Sequence, residues 1–118
     1  MKKLNESLVE IKKSKFIGLM YEVNSIEEVN SVLESLRKEH KKARHICYAY
    51  KIGTLEKKTD DKEPSGTAGQ PILNIINYKK LDNTLIVVVR YFGGTLLGRG
   101  LLTRSYSEAA SKLFVSNN

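Results

Sequence analysis

The sequence predicts an α+β domain, a two-layer sandwich with helices packed on one face of a four-stranded mixed sheet. Three observations predict it. Thr84–Phe92 is almost continuously apolar and β-branched, the pattern of a strand covered on both faces at the centre of a sheet. Arg44–Ile52 alternates with period two: Ile46, Tyr48, Tyr50 and Ile52 share one face, and His45, Cys47, Ala49 and Lys51 the other. Finally, Ile26, Val29, Val32, Leu33 and Leu36 fall on one stripe of a helical period.

Taken in order, Leu8–Ile11 and Phe16–Val23 read as extended segments joined by a turn at Lys12-Lys13-Ser14-Lys15. Ser25 and Glu28 have the spacing of a capping box, so the first helix starts there. Arg37, Lys38, Lys41 and Lys42 crowd its far end, where exposed carbonyls favour cations. After the alternating strand, residues 53–70 carry Gly53, Pro64, Gly66 and Gly69 among acidic and hydroxyl residues. A compact domain keeps so long a loop mainly for function. Pro71 suits the first turn of a short helix through Ile72, Leu73, Ile75 and Ile76, with a strand over the same residues as the alternative. Beyond the apolar strand, a glycine loop at Gly93–Gly100 leads to a last helix marked by Leu102, Tyr106, Ala109, Ala110, Leu113 and Phe114.

At 118 residues the chain makes one domain, residues 1–118, with a single core. Its 41% hydrophobic and 28% charged content is that of a globular protein and excludes the disordered class. No apolar run reaches the roughly 18 residues of a membrane span. Met1–Lys3 is followed by Glu6 and Glu10 instead of the apolar stretch of a signal peptide, so the expectation is a cytoplasmic protein without a membrane partner. Cys47, the sole cysteine, excludes an internal disulfide and any multi-cysteine metal site. The net charge of +7 invites an anionic partner.

Two constellations could carry chemistry. In Thr59–Gly69 the carboxylates of Asp60, Asp61 and Glu63 repel one another unless a divalent cation, a basic side chain or open water relieves them. They could hold magnesium, with the hydroxyls and amides of Ser65, Gly66, Thr67 and the residues to Gly69 binding an anion at the start of the short helix. Equally, they could form a solvated turn neutralised by Lys57, Lys58 and Lys62. The second constellation runs Arg90-Tyr91-Phe92-Gly93-Gly94, then Gly98-Arg99-Gly100 and Arg104. Glycines bring amides close to a phosphate, and Arg99 and Arg104 flank the helix entrance, a layout for an anion clamp. The alternative is a tight crossover in which Arg90 pairs with a carboxylate of the acidic loop. His45 and Cys47 stand parallel on one strand face, which disfavours a catalytic pair, and Cys47 suits a small core position.

The two loops together carry a more specific pattern. Asp60-Asp61-x-Glu63-Pro64-Ser65-Gly66-Thr67-Ala68-Gly69-x-Pro71-Ile72-Leu73, with Val87-Val88-Val89-Arg90-Tyr91-Phe92-Gly93-Gly94 and Leu97-Gly98-x-Gly100, resembles the IMPACT/YigZ family. Lys13-Ser14-Lys15-Phe16, Ala43-Arg44-His45 and Ala49-Tyr50 agree with it, so the resemblance spans nearly the whole chain. It implies an N-terminal domain similar to the second domain of the small-subunit ribosomal protein S five. Bacterial relatives usually carry a second, ferredoxin-like domain after this one, and residues 1–118 are expected to hold the N-terminal domain without it. Lys62, Leu96 and Leu101 stand where the family usually has glycine, a basic residue and glycine, respectively. The resemblance further implies regulation of translation, since eukaryotic members look like competitors for the activator of a starvation-sensing kinase.

Residues and resemblance together lead to a non-catalytic, translation-linked binding domain. Its expected partners are RNA or the ribosome, or a translation-regulatory protein, and no cofactor is expected. The rival expectation is a metal-assisted enzyme acting on a phosphorylated small molecule, with magnesium on Asp60, Asp61 and Glu63.

Overall fold

The computed structural model describes residues 1–115. The hairpin of β1 (Lys2–Ile11) and β2 (Ser14–Glu22) is followed by α1 (Ile26–Glu39), β3 (His45–Ile52) and β4 (Leu55–Thr59). Then come α2 (Gly69–Tyr78), β5 (Thr84–Tyr91), α3 (Arg99–Ser111) and a 3-10 turn, Lys112–Phe114. The strands form one sheet in the order β1-β2-β5-β3-β4, and every pairing is antiparallel.

The α+β class stands, and three details of the expectation change. The sheet has five strands rather than four, because β4 joins its edge, and it is antiparallel throughout rather than mixed. With the sequence Leu-Glu-Lys-Lys-Thr, β4 lacks an apolar face, as suits an edge strand defended by charge. The helices also divide between the two faces. On one side, Phe16, Cys47, Ala49, Ile86 and Val88 pack against Ile72 and Ile76 of α2 and Leu102, Tyr106 and Ala109 of α3. On the other, Leu19, Tyr48, Tyr50, Leu85, Val87 and Val89 pack against Val29, Val32, Leu33 and Leu36 of α1. β5 therefore lies at the middle of three layers, which is why it is apolar at successive positions.

Local signals explain the element ends. Ser25 caps α1, its side chain accepting from the Glu28 amide at 3.2 Å. The β1–β2 turn places Lys12 and Lys13 at φ 48° and 69°, the geometry of a two-residue hairpin turn whose twist suits the strands it joins. Pro71 sits in the first turn of α2, where its missing amide costs nothing.

This topology gathers one pole of the molecule. β5 ends there, Lys15 near the start of β2 pairs with Tyr91, and the Arg44 amide donates to the Arg90 carbonyl at 2.8 Å. The loops that precede α2 and α3 meet at the same end. Among the described residues, no helix is long and apolar enough to cross a membrane.

Candidate functional site

The acidic loop and the glycine loop converge on the end of β5. Arg90 Nη1 donates to Glu63 Oε2 at 2.8 Å, with the two side chains 6% and 3% exposed. The Tyr106 hydroxyl of α3 donates to the same oxygen at 2.5 Å. Arg90 Nη2 reaches Ser14 Oγ at 3.5 Å, while Nε has no hydrogen-bond partner among the described residues. The guanidinium lies 5.5 Å from the Phe16 ring centre and 5.9 Å from that of Phe92. Two charges survive this burial because each neutralises the other and Tyr106 adds a second donor to the same carboxylate oxygen. Burial pushes the Tyr106 hydroxyl pKa up, and Cys47 and Glu63 act in the same direction, so the phenol remains a donor.

Asp60 serves a different end of the network. Its carboxylate accepts from the amides of Gly66, Ala68 and Gly69 at 2.9, 3.1 and 2.8 Å and so caps the start of α2. Partial burial would raise its pKa, but those amides, together with Lys58, bring it below the ordinary carboxylate value. The amides expected to receive an outside anion are therefore filled by the chain's own Asp60. Thr67 is buried and donates its hydroxyl to the Pro64 carbonyl at 2.6 Å. Asp61 Oδ2 accepts from the Ile46 amide at 2.6 Å, fastening the loop to β3. Since Asp60, Asp61 and Glu63 face separate partners, they do not form a common ligand set. Among the described residues, no three His, Cys, Asp or Glu side chains are gathered to hold a metal ion.

The glycine loop is shaped by close approach. A Cβ on Gly93 would lie 2.1 Å from the Lys13 carbonyl carbon, and its amide donates to Ser14 Oγ at 3.2 Å. Gly98 precedes α3 without a side-chain cap, and Gly94 and Gly100 are exposed. Arg99 Nη2 donates to the Ser65 carbonyl at 2.6 Å, a second link between the loops, whereas Arg104 is exposed. Tyr91 turns away from the glycine loop, its hydroxyl 2.6 Å from His40 Nδ1 at the end of α1.

Sequence reasoning assigned no binding role to Arg44 or His45. The Arg44 guanidinium lies 4.3 Å above the Phe92 ring and is exposed. His45 Nδ1 is 2.6 Å from the Asp61 carbonyl, and its Nε2 is 3.5 Å from Glu63 Oε1. The period-two reading of β3 grouped His45 with Cys47 and Ala49, whose face the structure covers with α2 and α3, and that grouping is the signal that could have brought it to the loops. Cys47 is buried and donates to the Asp60 carbonyl at 3.2 Å; burial pushes its thiol pKa up, so it is inert. Tyr106, read as a helix-stripe residue, carried one hint of its role: a buried phenol needs a partner.

Three clefts run along the pole. One of about 150 Å³ is lined by Arg44, His45, Glu63, Arg90, Phe92 and Leu96, with Leu97 and Leu102 behind. Arg44 and His45 also border the next, about 290 Å³, with Arg37, His40 and Lys41. Lys41 in turn borders a third, about 380 Å³, with Lys38, Lys42 and Tyr91.

Fold and site together define an α+β domain whose acidic and glycine loops are pinned by a buried Arg–Glu pair beneath exposed cations. A family model described as the Impact N-terminal domain matches residues 12–114, and the chain belongs to the IMPACT family. IMPACT family member YvyE of Bacillus subtilis (strain 168) is 40% identical over 115 residues, covering 95% of this chain and 53% of that protein. The chain thus spans about half the length of the IMPACT family relatives it matches. A solved structure described as a hypothetical protein superposes with a TM-score of 0.89 at 35% identity, covering 96% of this chain and 60% of the other. The structure of the two-domain translational regulator Yih1 matches with a TM-score of 0.55 at 24% identity, over 95% of this chain and 46% of that one, a likeness of fold.

Proposed function

We propose that this chain is a translation-linked binding domain that engages RNA, free or within the ribosome, through its basic pole and without turnover. One observation carries the reading. Arg90 is neutralised internally by Glu63, yet exposed cations from two separate segments remain: Arg44 beside Arg90 in one cleft and with Lys41 in the next, and Arg99 on the Ser65 carbonyl with Arg104 one turn further along α3. Cations brought together by tertiary structure and left accessible form the footprint of a polyanion site. The glycine loop, with Gly93, Gly94, Gly98 and Gly100, lets a phosphate backbone approach, and Arg99 is held over the Ser65–Gly66–Thr67 turn. The link to translation rests on family membership and on the regulator named above.

A filter-binding titration of structured RNA across salt tests the reading. Affinity should fall steeply between about 50 and 200 mM salt, and removal of each phosphate-contacting cation should lower the log–log slope by about one. RNA affinity indifferent to salt, or an Arg44→Ala/Arg99→Ala/Arg104→Ala protein that binds like the wild type, overturns it. So does capture of a translation-regulatory protein through this pole that persists at high salt while RNA fails to bind.

A further inference from the structure

We infer that the cleft of about 150 Å³ is a base-reading pocket that takes one guanine from single-stranded RNA. The inference rests on the RNA reading above and names what the pole selects.

The floor of the cleft supplies the reason. His45 Nδ1 lies 2.6 Å from the Asp61 backbone carbonyl, which can only accept, so the proton of a neutral ring sits on Nδ1 and Nε2 is a bare acceptor. That Nε2 faces Glu63 Oε1 at 3.5 Å. Glu63 Oε2 already takes donors from Arg90 and Tyr106, while Oε1 receives no hydrogen bond from the described residues. Two acceptors therefore stand side by side, on side chains 14% and 3% exposed, with no donor between them. A ligand that presents two adjacent donors to the cleft satisfies both at once.

Guanine presents that pattern. On its pairing edge a ring N–H adjoins an exocyclic amine, whereas adenine and cytosine set a single amine beside a ring acceptor and uracil sets one N–H between two carbonyls. Phe92, Leu96, Leu97 and Leu102 give the cleft apolar walls for a planar ring. The backbone is provided for as well, because Arg44 stands at the border with the adjoining cleft, where Arg37 and Lys41 continue the cationic track. A duplex is excluded, since pairing hides the edge that the floor would read.

The test is fluorescence anisotropy with a short oligouridylate and the same strand carrying central guanosines, single-stranded and annealed to a complement. The guanosine strand should bind the wild-type protein roughly ten-fold more tightly than oligouridylate, with the advantage lost in the duplex. His45→Ala should bring the two single strands to equal affinity. An amide chemical-shift titration of the wild-type protein needs no variant: guanosine monophosphate should move His45 and Glu63, and uridine monophosphate should not. Equal binding of the two strands, or equal shifts from the two nucleotides, overturns the pocket and leaves the RNA reading standing. Failure of every strand to bind at low salt overturns both.

Discussion

Arg90 and Arg44 lie against the same ring, 5.9 and 4.3 Å from the centre of Phe92, and the Arg44 amide donates to the Arg90 carbonyl. They nevertheless belong to different regimes. Arg90 is 6% exposed and held by Glu63, while Arg44 meets water and faces two clefts. The difference teaches that an arginine beside a glycine loop is not an anion ligand by virtue of that position. What decides is whether the fold supplies a carboxylate first. Here the buried layer fixes the loops, and the rim is left free to meet a partner.

The sharpest way to break the contrast is to remove one member of the buried pair. Glu63→Ala or Arg90→Ala leaves an uncompensated charge in the interior and should cost about 3–5 kcal/mol in urea denaturation. Replacing both together with apolar residues, Glu63→Leu with Arg90→Met, should cost much less than the sum of the two single changes, because no orphan charge remains. Strict additivity would show that the pair does not hold the loops.

That pair was legible in the sequence as one of two open readings, because three carboxylates needed neutralising and Arg90 ended a strand that had to be central. The α2 start was half legible, since Pro71 suited a first helical turn but left a strand reading open. What stayed hidden was hidden for physical reasons. β4 is an edge strand exposed on both sides, so it carries no apolar alternation to read. The side taken by α1 was ambiguous because β5 is equally apolar on both faces, although a strand that needs two covers already argues against helices on one face alone. The roles of Arg44 and His45 depend on a loop arriving from the far side of β4, and no local pattern records that arrival.

Next in size is the close approach that seats the glycine loop on the β1–β2 turn. Gly93→Ala puts a methyl group 2.1 Å from the Lys13 carbonyl carbon and 2.3 Å from the Ser14 amide, both backbone and unable to swing aside. The loop must shift, and a loss of about 1–3 kcal/mol is expected on thermal or urea unfolding. Gly94→Ala tests a different constraint: nothing crowds the site, but φ 92° strains any side chain. Equal, negligible losses at both positions would show that the loop is not seated in this way.

Smaller again is the cap on α2. Asp60→Ala should cost about 0.5–2 kcal/mol, the range for a lost N-terminal cap. The pH dependence has a definite sign. Burial acts to raise the Asp60 pKa, the amides of Gly66, Gly69 and Ala68 with Lys58 outweigh it, and the folded value ends below the unfolded one. Its stabilisation is then complete above the unfolded value of about 3.9 and disappears as pH falls through the depressed folded value. Stability measured across that acidic window should fall less steeply in Asp60→Asn than in the wild type.

The smallest effect on folding belongs to the rim, and there the contrast with the interior is sharpest. Arg99→Ala gives up an exposed hydrogen bond to the Ser65 carbonyl, and Arg44→Ala an exposed contact with Phe92, so each should change stability by about 1 kcal/mol or less. Arg104→Ala, exposed and outside the loop-to-loop contacts, should fall within about 0.5 kcal/mol of the wild type. The same three changes should each flatten the salt dependence of RNA binding. A rim variant that unfolds like Arg90→Ala would mean that the outer cations share the structural work of the inner one. If unfolding stays put while the salt slope falls, the two layers are separable: one folds the loops, and the other uses them.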